Sequence, residues 1–174
     1  GAAEVIIALN EIATQIPGAP TVGTVGTLNV FPASRNIIPE EVTLTLDLRD
    51  IDLDRRHRYE KQLLDKIDAI TKKHQLTYTI SEDTNSEPRY CADWIKAIIK
   101  DECDQLNLDA PELMSGPFHD ALVLSYFCDY AMIFIKSRDG ISHNPLEYSS
   151  YEDLALGTEV LYGTVLQILK KSNS

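Results

Sequence analysis

Two regions of different class are predicted along these 174 residues: an α+β unit over residues 1–83, then part of an α/β domain over residues 84–174. Three observations carry this. Residues 41–49 alternate strictly between apolar and polar, next to a long segment whose apolar residues recur every three or four positions. Residues 82–88 turn polar and end in proline, as inter-domain connections do. Beyond them, helical patterns flank a continuous apolar run at residues 131–135, the signature of a strand covered on both faces.

In chain order, Val5, Ile6, Leu9, Ile12 and Ala13 predict a helix over Ala2 to Ile16. The pattern is already running at the first residue, as in a fragment. Gly18 to Pro20 breaks it, and Thr21 to Phe31 reads as a strand in which Gly23 and Gly26 mark a bulge or a close backbone approach. A turn follows over Pro32 to Pro39. In Glu41 to Arg49, Val42, Leu44, Leu46 and Leu48 form the buried face of a half-buried antiparallel strand. Asp52 or Asp54 caps the next helix, whose stripe of Tyr59, Leu63, Ile67 and Ile70 runs to about Gln75. Leu76 to Ser81 is expected to close the unit as a short strand. Helix, strand, strand, helix, strand is the order of a ferredoxin-like split βαβ unit lacking its first strand, which would lie upstream.

The second region opens with a helix over Tyr90 to Asn107, with Trp94, Ile98, Ile99 and Cys103 inward. A loop through Pro111 leads to Ser115 to Ala121 and a short helix reaching Cys128. The apolar run Ala131 to Ile135 is expected as a strand, with a glycine turn and His143 after it. Ser149 with Glu152, or Ser150 with Asp153, forms a capping box for a final helix from Tyr151 to about Lys171. In α/β sheets ligand groups gather at the carboxyl ends of strands, where His119 and His143 are both expected.

Composition narrows the function. An apolar content of 44% supports a true core, and a net charge of -11 argues against a nucleic-acid or anionic-membrane surface. An anionic ligand therefore needs specific local cations. The three cysteines, Cys91, Cys103 and Cys128, form no CxxC pair and suggest neither a disulfide framework nor a thiolate metal site, which fits a reducing cytoplasm. No stretch approaches membrane-spanning length. His143 sits in a turn that commonly presents a metal ligand, yet His57, His74 and His119 stand at no spacing that completes a site with it. Either His143 is structural, or its partners lie outside these residues.

The stretches Arg35 to Asp50 (RNIIPEEVTLTLDLRD), Ser115 to Ala121 (SGPFHDA) and Gly140 to Pro145 (GISHNP) together resemble three successive motifs of the dimeric metallo-amidohydrolases. That family contains N-carbamoyl-L-amino acid hydrolases, allantoate amidohydrolases and β-ureidopropionases, within the wider zinc-peptidase superfamily. The resemblance covers nearly the whole chain. It implies a lid and dimerisation domain over residues 1–83, truncated at its start, followed by the carboxyl-terminal segment of a metallopeptidase-like catalytic domain over residues 84–174. It further implies a parent enzyme that hydrolyses a linear amide or ureido C–N bond of a carboxylate, using two divalent metals (zinc, manganese, cobalt or nickel). The other metal ligands and the catalytic glutamate would precede this chain, leaving the fragment alone inactive and without its metals.

Carried over by motif, His143 matches the last metal ligand, while Asn36 and Arg49 match lid residues that bind the substrate carboxylate. His119 and Asp120 match the His-Asp of an active-site loop. The physical chemistry agrees for Arg49, since a guanidinium offers two parallel donors to a carboxylate. Each residue also has a plainer reading: Asn36 as a turn former, Arg49 as a strand-end charge paired with Asp47 or Asp50, and His119 as a helix cap or a partner of Asp120. Departures from the family pattern are Phe118 where a small residue is usual, Asp139 for a glycine, and Asn144-Pro-Leu146 for Ser-Pro-Glu. An aminoacylase or dipeptidase of the same superfamily, or a non-catalytic dimerisation and ligand-binding module, are the alternatives. Homodimerisation through the lid is expected, with a small-molecule carboxylate as the other partner.

Overall fold

The computed structural model describes residues 1–172 and folds as two compact units, Gly1–Pro88 and Arg89–Ser174. In the first, helix α1 (Ala2–Ala13) precedes strands β1 (Val22–Phe31) and β2 (Glu41–Arg49), and helix α2 (Leu53–His74) follows. The strands pair antiparallel, Val22 opposite Arg49 and Phe31 opposite Glu41. Val5, Leu9 and Ile12 of α1 and Tyr59, Leu63, Ile67 and Ile70 of α2 form the core, and Val25, Leu44, Leu46 and Leu48 of the sheet pack against it. Every residue of the predicted α2 stripe is buried, because the 3.6-residue period brings those positions to one face.

Local chemistry explains the ends of these elements. The Asp52 carboxylate accepts the Arg55 N–H at 2.9 Å and starts α2, and Gln75 ends it in a left-handed conformation. The helix α1 stops at Ala13, three residues short of the predicted Ile16. Both strand glycines have a visible purpose. A Cβ on Gly23 would stand 2.9 Å from the Ala13 Cβ and 3.1 Å from Leu9, so α1 lies directly on β1 there. Between Val25 and Leu28 the register shifts, with one more residue in β1 than in β2. The Thr27 N–H at that bulge is satisfied by the Thr45 hydroxyl at 3.0 Å.

One expected strand of this unit is absent. Residues 76–81 form no strand, and the described residues make a sheet of β1 and β2 alone. Leu76, Tyr78 and Ile80 keep the alternation of a strand but are 50%, 43% and 58% exposed. Alternation describes what a segment can bury, whereas a ladder needs a neighbouring backbone with unpaired groups, and among the described residues no strand pairs with this segment.

The second unit contains α3 (Asp93–Gln105), the five-residue α4 (Asp120–Leu124), a single 3-10 turn over Arg138–Gly140 and α5 (Tyr151–Ser172). Helices α3 and α5 pack together, with Ile95, Ile98 and Cys103 buried on the one and Val160 and Thr164 on the other. Trp94, expected inward, is 43% exposed, and its indole donates to Asp129 Oδ2 at 2.7 Å. Ile95 takes the inner position. The capping box is the Ser150 and Asp153 pair: the Asp153 N–H donates to Ser150 Oγ at 3.0 Å, and that hydroxyl donates to the Asp153 carboxylate at 2.7 Å. The run Ala131 to Ile135 is not a strand, and Phe134 and Ile135 are exposed. As with residues 76–81, no partner strand flanks it among the described residues. Cys103 is buried, Cys91 half-buried and Cys128 exposed. No described helix is long and apolar enough to cross a membrane.

Candidate functional site

The predicted site residues fall into two groups, Asn36 and Arg49 in the first unit and His119, Asp120 and His143 in the second. Arg49 ends β2, on the strand face shared with Asp47. Its Nε lies 2.9 and 3.0 Å from the two Asp47 carboxylate oxygens, and its Nη2 lies 2.5 Å from Asp47 Oδ2. Side-chain exposures of 52% and 46% leave this pair in water. Bonding to Asp47 holds the Arg49 pKa above its already high ordinary value. Asn36 belongs to the turn between the strands, where its side-chain oxygen accepts from the Ser34 hydroxyl at 3.0 Å.

Next to Arg49, Asp50 is one of the few buried charges. It accepts from Arg55 Nε at 2.7 Å, Arg55 Nη2 at 2.6 Å, the Asp52 N–H at 2.8 Å and the Thr21 hydroxyl. Burial pushes its pKa upward, but the Arg55, Thr21 and Asp52 bonds outweigh that and leave it below the ordinary aspartate value. Its acceptor capacity is spent within the unit. Asp50 fixes the turn from β2 into α2 and so the end of the strand that carries Arg49.

In the second unit His119 stands at the N-cap position of α4 with an extended backbone, but its ring makes no capping bond. Instead Nε2 lies 2.6 Å from Ser115 Oγ, and the ring meets Phe134 edge to face with centroids 5.9 Å apart. Neither Asp120 bonding nor capping holds this ring. Asp120 is the first residue of α4, where a carboxylate is favoured by the helix dipole.

His143 lies on a closed loop. The Arg138 N–H donates to the Tyr148 carbonyl at 2.8 Å, the Ser149 hydroxyl to the Lys136 carbonyl at 2.7 Å, and the Arg138 guanidinium covers the Tyr148 ring at 4.3 Å. At its tip His143 is exposed and left-handed, with φ 55°, and donates its backbone N–H to Glu147 Oε2 at 2.9 Å. Asp139, which replaces the glycine of the resembled motif, is likewise left-handed at φ 57°. Sequence reading did not single out Glu147, although its place four residues after His143, across an Asn-Pro turn, is a usable signal.

Among the described residues no group of three His, Cys, Asp or Glu side chains is placed to hold a metal. His143 offers one imidazole, and one ligand does not make a site. The described residues thus do not by themselves fit a metal centre.

No protein-family model matches the chain. Curated relatives do match. The N-carbamoyl-L-amino-acid amidohydrolase of Pseudomonas sp. (strain NS671) is 40% identical over 167 residues, 96% of this chain and 40% of that protein. The ureidoglycolate hydrolase of Arabidopsis thaliana is 35% identical over 170 residues, 96% of this chain and 35% of that protein. Among solved structures, a hydantoinase/carbamoylase family amidase from Burkholderia vietnamiensis superposes with a TM-score of 0.87 at 27% identity, covering 95% of this chain and 40% of that one. The chain is thus homologous to N-carbamoyl-L-amino acid amidohydrolases, ureidoglycolate hydrolases and allantoate amidohydrolases, and it spans about 40% of the length of the Pseudomonas and Geobacillus stearothermophilus N-carbamoyl-L-amino acid amidohydrolases.

Proposed function

We propose that the whole protein is a metal-dependent amidohydrolase that cleaves a linear amide or ureido C–N bond of a small carboxylate, of the N-carbamoyl-L-amino acid or allantoate type. The observation that carries this is homology to such enzymes over 96% of the chain, with no large part left unmatched. Arg49 and Asn36 receive the substrate carboxylate, the guanidinium through paired charge-assisted hydrogen bonds and the amide as a neutral donor. His143 supplies one metal ligand, the remaining ligands and the general base coming from sequence outside these 174 residues. Two divalent ions, of zinc, manganese, cobalt or nickel, complete the centre. His119 and Asp120 belong to the active-site loop, and Ser115 holds the His119 ring in place.

In this reading residues 1–83 are a ferredoxin-like lid that pairs two subunits, and residues 84–174 are the end of the catalytic domain. Sequence order and the packing of two helices on one face of an antiparallel pair support the lid assignment. The acidic charge and the three unpaired cysteines support a cytoplasmic setting.

The test is hydrolysis of N-carbamoyl-L-amino acids, ureidoglycolate and allantoate by the whole protein with manganese or zinc, comparing wild type, Arg49→Ala and His143→Ala. Arg49→Ala is expected to raise KM for carboxylate substrates while metal content stays unchanged. His143→Ala is expected to lose both metal and activity. Full activity in both variants would overturn the reading.

A further inference from the structure

We propose that Asp47 is an internal carboxylate that competes with the substrate carboxylate for Arg49, and so sets how strongly this position takes an anion. The inference rests on the reading of Arg49 as the carboxylate receptor. Asp47 and Arg49 stand two residues apart on β2, where side chains at i and i+2 share a face. Both Asp47 oxygens lie within 3.0 Å of Arg49 nitrogen, so Asp47 already makes the contact a substrate carboxylate would make, with the same chemical group. Roughly half of each side chain is exposed, so no burial locks the pair together. Exposed ion pairs of this kind contribute little, so a ligand that brings other contacts with it can displace Asp47.

The neighbouring groups single out Asp47 for this part. Asp50, the next carboxylate along the chain, is committed to Arg55, Thr21 and the Asp52 N–H. Thr43 and Thr45, on the same strand face, carry no charge, and Thr43 donates to Glu41 at 3.2 Å. In a chain of net charge -11, a guanidinium with no internal partner would attract any acidic surface or small anion. Asp47 screens Arg49 from weak, non-specific carboxylates and yields to one that is also held elsewhere.

The test is an NMR titration of the Arg49 guanidinium resonances in the whole metal-free protein, assigned by their loss in Arg49→Ala, with N-carbamoylglycine as probe and neutral methylurea as control. Asp47→Asn keeps the shape and removes the charge. The expected result is carboxylate-specific saturation in both proteins, with an apparent Kd about two- to fivefold lower in Asp47→Asn. Equal or weaker affinity in Asp47→Asn, with clear Arg49 shifts in both proteins, overturns the competition and leaves the carboxylate reading standing. No carboxylate-specific shift in either protein removes Arg49 as a receptor, and the competition falls with it.

Discussion

Arg56, only 6% exposed near the start of α2, donates through Nη1 to the Ser86 carbonyl at 2.6 Å and through Nη2 to Asn85 Oδ1 at 2.9 Å. Its Nε lies 3.1 Å from Glu60. One buried guanidinium thus pins the polar segment 82–88 to the helix thirty residues earlier in the chain. Replacing it by methionine keeps the aliphatic bulk but leaves that carbonyl and amide without their donor.

Arg56→Met is therefore expected to destabilise the first unit by roughly 2 kcal/mol, read as a lower denaturant midpoint. Amide exchange should rise selectively over residues 82–88. Arg56→Lys should recover only part of the loss, since an ammonium cannot reproduce the planar donor geometry. Unchanged exchange over 82–88 in Arg56→Met would show that the segment is held by something else.

Acid should weaken the turn from β2 into α2. Asp50 has a folded pKa below its ordinary value, so its contribution to stability is complete above the unfolded aspartate pKa of about 3.9 and is lost as pH falls through the lower folded value. Thermal midpoints of the wild type should fall between about pH 5 and pH 2, and Asp50→Asn should start lower at pH 7 and show a flatter dependence over that interval. Parallel curves for the two proteins would remove Asp50 from the account.

Gly23 marks where α1 touches the sheet. Gly23→Val adds three carbons where a Cβ alone would already stand 2.9 Å from Ala13 and 3.1 Å from the buried Leu9. Overpacking of this kind costs about 1–3 kcal/mol, measurable by urea denaturation. Gly18→Ala offers a contrast: nothing lies within 4 Å of its added Cβ, so any cost there comes from its φ of 78° rather than from crowding.

Backbone strain on the His143 loop gives a fourth prediction. At φ 55° and 57°, His143 and Asp139 occupy a region that costs most side chains about 1 kcal/mol relative to glycine. Asp139→Gly should be at least as stable as wild type, and His143→Gly should exceed His143→Ala by about 1 kcal/mol. Equal stabilities for the two His143 variants would mean that the loop relaxes once the imidazole is removed.

The residues that read correctly from sequence are those whose partners are present within the same unit. The stripe from Tyr59 to Ile70 finds α1 and β2 within its own unit, and the Ser150 capping box closes over three residues. Leu76 to Ile80 and Ala131 to Ile135 have strand patterns that are equally clear, yet neither forms a strand, because pattern supplies side chains and not a neighbouring ladder. Spacing in 22–31 is irregular, with apolar residues at 22, 25, 28, 30 and 31, and the bulge between Val25 and Leu28 accounts for the break in period between them. At the candidate site, the plainer reading that Arg49 pairs with Asp47 was legible in the strand alternation that puts both on one face. The Ser115 contact of His119 was not, since nothing in a linear motif says which of several polar neighbours a ring will meet.

The loop that carries His143 has a thermodynamic consequence. Its two ends are stitched by the Arg138 to Tyr148 and Ser149 to Lys136 hydrogen bonds, and its tip is braced by Glu147. Ordering a free loop of this length on ligand capture would subtract about 1–2 kcal/mol for each residue immobilised. Here folding has already absorbed that entropy loss, so whatever engages the imidazole meets a backbone with little freedom left to surrender, and more of the contact energy remains as affinity.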